Sequence, residues 1–265
     1  MNIQEVLIAI AIVGGVGLFI GIFLGFFGKY FKVESDPRED QIIEVLPGNN
    51  CGGCGFPGCS GLAAAIVAGE APVNGCPVGG AKVGEEVAKI MGVDAGVSVK
   101  KVAFVKCMGT CDKTKSNYDY FGIEDCKMMS FVPDGGAKSC NYGCLGFGSC
   151  VKVCQFDAIH VIDGVAVVDK EKCVACGKCI AECPKKLIEL VDYDSSYAVT
   201  CNSKDKGPVC MKVCENSCIG CGLCAKNCEA GAVTVTDFLA HIDQDKCVGC
   251  GKCMEVCRRG AIAKL

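Results

Sequence analysis

The sequence predicts an α+β protein in which small cysteine-rich domains follow one N-terminal transmembrane helix. Three observations support this prediction: 26 cysteines among 265 residues, a long uncharged stretch near the N-terminus, and a cysteine spacing that occurs three times in the second half of the chain. Cysteine makes up about a tenth of the chain, far above its ordinary usage. The net charge is −3, so no nucleic-acid partner is expected.

The first predicted element is a membrane anchor over residues 1–28. Residues 6–27 carry no charged side chain, and at about 1.5 Å per residue a helix of this length crosses a bilayer core. A cleavable signal peptide would need a basic leading stretch, but the only preceding charge is Glu5. Lys29 and Lys32 follow, which predicts a single-pass protein of the cell (inner) membrane with cytoplasmic C-terminal domains.

The same stretch contains glycines spaced three or four positions apart, which would fall on one helix face: Gly14, Gly17, Gly21, Gly25 and Gly28. Small residues at this spacing allow another helix to approach closely. The alternative is that glycine is simply common in transmembrane helices. The spacing favours packing against other membrane subunits.

A charged linker is predicted at residues 29–41, followed by a four-cysteine domain at residues 42–92. Its cysteines are Cys51, Cys54, Cys59 and Cys76. Glycines around the first three allow the backbone to wrap a compact inorganic core, and a short helix is expected from about residue 62 to 69. Four thiolates are the complement of one [4Fe–4S] cluster. A G-x-G-x-x-G match at residues 53–58 is too weak alone to indicate a nucleotide site.

Three runs have the Cys-x2-Cys-x2-Cys-x3-Cys spacing that is typical of bacterial ferredoxins, in which the fourth cysteine ligates the other cluster of a pair. They are Cys173, Cys176, Cys179 and Cys183; Cys218, Cys221, Cys224 and Cys228; and Cys247, Cys250, Cys253 and Cys257. Zinc sites need no third cysteine in such a tight run. Disulfides suit small secreted domains, so iron–sulfur clusters are the favoured interpretation.

When the sequence is aligned with itself so that Cys150 matches Cys224, Cys173 also matches Cys247. The two stretches aligned in this way are two ferredoxin units. They are predicted at residues 140–190 and 218–265, each with a β-hairpin between its cysteine runs. Phe147 falls where Cys221 stands in the second unit, and Cys140 is the nearby replacement. The predicted ligand groups are Cys140, Cys144, Cys150 and Cys183; Cys154, Cys173, Cys176 and Cys179; Cys218, Cys221, Cys224 and Cys257; and Cys228, Cys247, Cys250 and Cys253.

These assignments give five clusters and leave six cysteines in the segments at residues 93–139 and 191–217: Cys107, Cys111, Cys126, Cys201, Cys210 and Cys214. Six free thiols are one interpretation. A sixth cluster is the other, with Cys107, Cys111 and Cys126 as ligands and a fourth from the later segment, Cys201 or Cys214. Spacing alone does not choose the fourth ligand, and two cysteines would be left over.

Several stretches in order, LPGNNCGGCGFPGCSGLAAAI, CNYGCLGFGSCVKVCQFDAI and CIGCGLC, resemble the B-subunit family of Rnf complexes over essentially the whole chain. The resemblance implies an electron-transfer subunit of an ion-translocating ferredoxin:NAD⁺ oxidoreductase. It would take electrons from soluble ferredoxin and pass them to other membrane and peripheral subunits. We find no nicotinamide or flavin motif in this chain and predict no catalytic residue.

Two other functions remain possible at this point. One is a membrane polyferredoxin that serves another respiratory or hydrogenase complex, and the other is a protein whose metal sites are structural. A docking site for an acidic ferredoxin would need basic residues near a terminal cluster. The candidates are Lys82, Lys89, Lys100 and Lys101, or Arg258, Arg259 and Lys264. Each is equally well explained as a solvated surface charge.

Overall fold

The computed structural model describes residues 3–30, 36–97 and 99–265. The α-helices are α1 Ile3–Tyr30, α2 Pro37–Val45, α3 Gly58–Val67, α4 Gly80–Met91, α5 Ser149–Lys152, α6 Lys178–Glu182, α7 Gly207–Val213, α8 Leu223–Lys226 and α9 Lys252–Glu255. The strands are β1 Lys101–Val105, β2 Ile159–Ile162, β3 Val165–Val168, β4 Ile188–Asp192, β5 Tyr197–Val199, β6 Val233–Thr236, β7 Leu239–Ile242 and β8 Ile262–Lys264. Two 3₁₀ turns, Met128–Phe131 and Pro133–Gly135, lie between β1 and α5.

Helix α1 covers the predicted anchor from Ile3 onward, and residues 1 and 2 lie outside the described residues. Large apolar side chains such as Val13 and Leu18 are exposed along it. Within residues 3–30, 36–97 and 99–265, no helix meets the combined length and hydropathy required to cross a membrane.

Helices α2, α3 and α4 form the N-terminal domain. Asp36 caps α2 by accepting a hydrogen bond from the Arg38 N–H at 2.9 Å, and a proline occupies the first turn. The predicted linker at residues 29–41 overlaps the beginning of α2, which starts at Pro37. Residues 31–35 of that linker lie outside the described residues. Helix α3 begins at Gly58, one turn before the predicted start.

The core of this domain is made by apolar side chains from all three helices. Ile42, Leu62 and Val87 are each almost fully buried and belong to one cluster. The core is small, as expected for a short domain whose helices contribute few large side chains.

Each ferredoxin unit consists of a hairpin and an outer strand pair. In the first unit β2 pairs with β3 and β1 pairs with β4, and in the second unit β6 pairs with β7 and β5 pairs with β8, all antiparallel. The predicted hairpins are confirmed. Strands β1 and β5 lie outside the predicted bounds of the units and carry no cysteine pattern, but they pair with β4 and β8.

The internal repeat is visible in the backbone as well as in the sequence. Gly146 and Gly220 are equivalent positions of the repeat, and both have positive φ angles, of 82° and 64°. A Cβ at Gly146 would lie 2.7 Å from the Gly164 carbonyl oxygen, and one at Gly220 would lie 2.8 Å from the Phe238 backbone. In both units a cysteine loop is thus pressed against the turn of the hairpin at a point where only glycine fits.

Candidate iron–sulfur sites

None of the 26 cysteines, all of which lie in the described part of the chain, forms a disulfide. Among the residues it describes, no group of three or more His, Cys, Asp or Glu side chains is placed to hold a single metal ion. A [4Fe–4S] cluster binds each of its four cysteines through a different iron atom. Its ligand sulfurs therefore surround a larger space than those of a mononuclear site, in which every ligand lies about 2.3 Å from one ion.

The N-terminal site lies where the glycine-rich loop meets the start of α3. It contains the four cysteines predicted for this domain: Cys51, Cys54, Cys59 and Cys76. The loop is held by Asn50, whose Oδ1 accepts a hydrogen bond from the Cys59 N–H at 2.8 Å. The Gly79 N–H donates to the Cys76 Sγ at 3.3 Å. Burial raises the pKa of the Cys76 thiol, and the nearby Cys59 and Cys51 add to that rise.

The second site contains the predicted group of Cys154, Cys173, Cys176 and Cys179. Burial, with these neighbouring cysteines, raises the pKa of Cys179 to about 11. Backbone donors reach two of the sulfurs: the Ala103 N–H lies 3.3 Å from the Cys173 Sγ, and the Ala158 N–H lies 3.4 Å from the Cys154 Sγ. Strand β1 therefore helps to form this site, although it lies far from the site in the sequence.

The third site differs from the sequence prediction. One cavity of the first unit is lined by Cys126, Cys144, Cys150 and Cys183. Burial raises the pKa of Cys150 to about 12, and Cys144, Cys126 and Cys183 contribute to the rise. Cys140, predicted for this group, is not part of it. Cys126 takes its place because its segment folds over α5, where the Cys126 N–H donates to the Ser149 Oγ at 2.8 Å.

The displaced Cys140 belongs to a central site between the two ferredoxin units. Cys107, Cys140, Cys201 and Cys214 line one cavity there. Burial raises the pKa of Cys140, with contributions from Cys107 and Cys214. Burial also raises the pKa of Cys201 to about 12. Each unit supplies two cysteines: one that follows its outer strand β1 or β5, and one that precedes its first cysteine run.

A sequence signal could have found this central pair. The alignment that superimposes the two units also places Cys140 on Cys214, so they are equivalent positions. Of the five cysteines considered for a sixth cluster, the structure brings together Cys107, Cys201 and Cys214. It does not place Cys126 or Cys111 with them.

Two cysteines lie outside all groups of four. Cys210 also borders the central cavity, but it is fully buried on α7, where its Sγ lies 3.2 Å from the Asp205 carbonyl oxygen and 3.3 Å from the Ser203 Oγ. Cys111 is exposed, and its backbone N–H donates to the Asp163 carbonyl oxygen at 2.9 Å.

The second unit provides the two remaining sites, with the predicted groups. Cys218, Cys221, Cys224 and Cys257 line one cavity, and burial raises the pKa of Cys224 to about 11, with contributions from the other three. Cys228, Cys247, Cys250 and Cys253 form the last group, in which burial raises the pKa of Cys253. The Ala261 N–H donates to the Cys257 Sγ at 3.4 Å.

The residues present fit iron–sulfur clusters by two structural tests. First, backbone N–H groups point at cysteine sulfurs in most of these sites, which is how proteins stabilise thiolate ligands. Second, the Arg259 Nε is buried without a hydrogen-bond partner among the residues described, and its side chain borders the cavity of Cys218 and Cys257. A buried N–H donor needs an acceptor, and the sulfur atoms of a bound cluster would provide one.

Comparison with known families matches three parts of the chain. An Fe-S cluster family matches residues 46–78, a 4Fe-4S binding domain matches residues 166–189, and a 4Fe-4S dicluster domain matches residues 217–261. The matched ranges coincide with the N-terminal site, the last part of the first ferredoxin unit and the cysteine runs of the second. The architecture is therefore a mixed α and β arrangement of Fe-S and ferredoxin-type domains.

Curated relatives match almost the whole chain. The B-subunit of the Na⁺-translocating ferredoxin:NAD⁺ oxidoreductase complex of Acetobacterium woodii is 46% identical over 92% of this chain and 73% of the relative. The B-subunit of an ion-translocating oxidoreductase complex of Methanosarcina acetivorans is 45% identical over 90% of both chains. The B-subunit of the proton-translocating ferredoxin:NAD⁺ oxidoreductase complex of Clostridium ljungdahlii is 42% identical over 91% of this chain and 85% of the relative.

Proposed function

Since this chain belongs to the B-subunit family of ion-translocating oxidoreductase complexes and is an electron-transfer subunit, we propose that it holds six [4Fe–4S] clusters in one unbroken line. The proposed order is the N-terminal site, the Cys154–Cys179 site, the Cys126–Cys183 site, the central site, the Cys218–Cys257 site and the Cys228–Cys253 site. A bound cluster supplies one-electron transfer. The chain places neighbouring sites in contact with one another.

The first junction joins the N-terminal domain to the first ferredoxin unit. A Cβ at Gly53 would lie 2.7 Å from the Cys176 carbonyl oxygen, so the two ligand loops touch backbone to backbone. The next junction lies inside the first unit, where Cys150 and Cys173 are both buried in one apolar core. Cys183, which follows the run of Cys173 along the chain, lines the cavity of Cys150. This exchange is the crossing of the fourth cysteine that ferredoxin spacing predicts.

The central site supplies the two junctions that carry the proposal. On one side the Cys144 N–H donates to the Cys107 Sγ at 3.4 Å, which joins the central site to the first unit. On the other side the Cys218 N–H hydrogen-bonds to Cys201 and lowers the pKa of that thiol, against the larger effect of burial. Cys144 and Cys218 are equivalent positions of the repeat, so each unit donates the same backbone N–H to a cysteine of the central site. Without the central site the two ferredoxin units would be separate carriers.

We propose that the electrons come from reduced ferredoxin and leave to other subunits of the complex. The support is that relatives of this chain are named as ferredoxin:NAD⁺ oxidoreductase subunits. Both ends of the proposed line are accessible, because the N-terminal cysteines are half-buried and Cys250 is exposed. One end would then face the donor and the other a partner subunit.

We also propose that α1 anchors the chain in the membrane with its C-terminal domains in the cytoplasm. The support is the uncharged stretch at residues 6–27, the exposure of its described apolar side chains and the basic residues that follow it. Extraction of membranes with alkaline carbonate tests the anchor. Release of the full-length chain into the soluble fraction would contradict it.

The line of six sites is tested by comparing Cys140→Ala with Cys210→Ala in the full-length chain, prepared without oxygen. The wild type should contain about 24 iron atoms and accept about six electrons, four irons and one electron for each cluster. Cys140→Ala should lose about four irons and break electron equilibration between the two halves. Cys210→Ala should keep all of its iron. Full iron content in Cys140→Ala would contradict the central site.

Mixing the wild-type chain with reduced ferredoxin tests whether ferredoxin is its electron donor. Rapid bleaching of the visible absorbance supports entry from ferredoxin. If the clusters are reduced by dithionite but not by ferredoxin, the chain serves a different donor, as a polyferredoxin of another complex would.

A further inference from the structure

Arg259 lies between two of the proposed sites. It follows Cys257 closely in the sequence and borders the cavity of Cys218, Cys221 and Cys224. Its Nη2 donates to the Cys214 carbonyl oxygen at 2.7 Å and contacts the Ser217 Oγ at 3.4 Å. Cys214 belongs to the central site. The guanidinium therefore touches the protein frame of the central site while it faces the first site of the second unit.

No carboxylate among the described residues neutralises the charge of Arg259. None of the ion pairs formed by the described residues includes it. Its Nε is also buried with no hydrogen-bond partner in the part of the chain that the structure covers. A half-buried cation with one unused donor is unfavourable unless something negative lies beside it. The sequence alone makes Arg259 a candidate for ferredoxin docking, but its burial and hydrogen bonds do not suit a surface contact.

The first ferredoxin unit has a cation at the same place. Lys185 is the repeat equivalent of Arg259, and it borders the cavity of Cys126, Cys144, Cys150 and Cys183. Its Nζ donates to the Asn141 carbonyl oxygen at 2.9 Å, next to Cys140 of the central site. The two cations therefore make similar contacts to backbone carbonyls that lie one position apart in the repeat, each between the central site and the first site of its own unit.

We infer that Arg259 is a positioning residue that raises the reduction potential of the site formed by Cys218, Cys221, Cys224 and Cys257, and that Lys185 does the same in the first unit. The inference rests on the proposed clusters. Reduction adds one electron and no proton, so the cluster becomes more negative by one charge. A fixed cation and a hydrogen bond to its sulfur stabilise that reduced state. The sites on both sides of the central site would thus have raised reduction potentials, each because of a nearby cation.

The test is a potentiometric titration of the full-length chain followed by electron paramagnetic resonance, with dithionite as reductant. Arg259→Gln should shift one midpoint to a more negative potential with unchanged iron and sulfide content. Arg259→Lys should shift the same midpoint less, because the charge remains but the Nε donor is lost. Arg258→Gln is the matched control, since Arg258 borders the same cavity but is exposed, and it should change the midpoint little.

Two results would overturn the inference. One is a fully loaded Arg259→Gln protein with the midpoints of the wild type. The other is an Arg258→Gln protein whose shift equals that of Arg259→Gln, which would mean that any nearby charge acts equally. If Arg259→Gln fails to load its clusters, Arg259→Lys and Lys185→Gln decide the question, because each must shift a midpoint of its own unit. A wild type without clusters would instead refute the proposed function.

Discussion

The two ferredoxin units share a fold but complete their first site in different ways. In the second unit all four cysteines belong to the ferredoxin pattern, and Cys221 is exposed. In the first unit Phe147 stands in the place of Cys221, and its ring packs edge-on against Tyr120 at 5.6 Å between centroids. Cys126 completes the group from the segment that contains Tyr120. The connection between β1 and Cys140 is longer than the one between β5 and Cys214, and the cysteine that it brings to this cavity is half-buried, whereas Cys221 is exposed.

The comparison shows that the two units share the same backbone arrangement, although one cysteine position of the repeat differs between them. Strand pairing, the hairpin and the glycine contacts are the same in both units. The identity of one ligand depends on which segment covers the loop. A covered site is better shielded from solvent, which is one of the factors that set the potential of a cluster.

The largest effect is expected when the cysteine at position 126 is removed and a cysteine is placed at position 147, the repeat equivalent of Cys221. Cys126→Ala should cost about four irons per chain, because one of four thiolates is lost. Adding Phe147→Cys to that variant should restore much of the iron, since residue 147 has the backbone position of Cys221. Iron and sulfide analysis measures both. Cys111→Ala is the control and should keep its full iron content. If Cys126→Ala alone keeps all of its iron, the assignment of Cys126 is wrong.

A smaller effect is expected from the glycines that both units use. Gly146→Ala and Gly220→Ala should each destabilise the protein by about 1–3 kcal/mol, because the new Cβ meets backbone and the φ angle is positive. Gly222→Ala has a similar φ angle of 73° but open space around the new Cβ, so it should cost only about 1 kcal/mol. The melting temperature by circular dichroism measures all three. Equal losses in the three variants would show that the contact to the hairpin turn is unimportant.

A third comparison concerns what covers the outer loop of each unit. Cys176 is half-buried against the N-terminal domain, whereas its equivalent Cys250 is exposed. Gly53→Ala should push the N-terminal domain away from Cys176, because its Cβ would lie 2.7 Å from the carbonyl oxygen there. The magnetic interaction between the two reduced sites should weaken while iron content stays constant.

Asn49→Ala in the same loop is the control for this change, since Asn49 is exposed. An unchanged spectrum in Gly53→Ala would argue against close contact between the N-terminal site and the first unit.

The smallest effect is expected from an ion pair that only the first unit has. Lys172 and Asp157 lie 2.9 Å apart and are exposed, and the equivalent of Asp157 is Gly231. The hydrogen bond from Lys172 lowers the pKa of Asp157. Any stabilisation is therefore present above the ordinary carboxyl pKa and is lost as the pH falls through the lowered value. Asp157→Asn should leave the melting temperature at neutral pH unchanged, because exposed pairs contribute little. A clear drop would contradict this.

Much of the fold and most of the sites could be predicted from the sequence because tight cysteine spacing is a local constraint. The groups of Cys173 and Cys247 follow from runs in which three ligands lie close together along the chain. The hairpins follow from the apolar alternation between those runs. The outer strands β1 and β5 could not be placed, because their partners β4 and β8 are remote in the sequence.

The sequence by itself determined the cofactor class and the number of repeated units, and it predicted the candidate ligands that are close neighbours along the chain. Only the tertiary structure placed Cys126 rather than Cys140 beside Cys144, Cys150 and Cys183, and Cys140 beside Cys107, Cys201 and Cys214. The physical reason is that a ligand group is defined by distance in space. Where a long connection folds back over a loop, spacing along the chain no longer reports that distance.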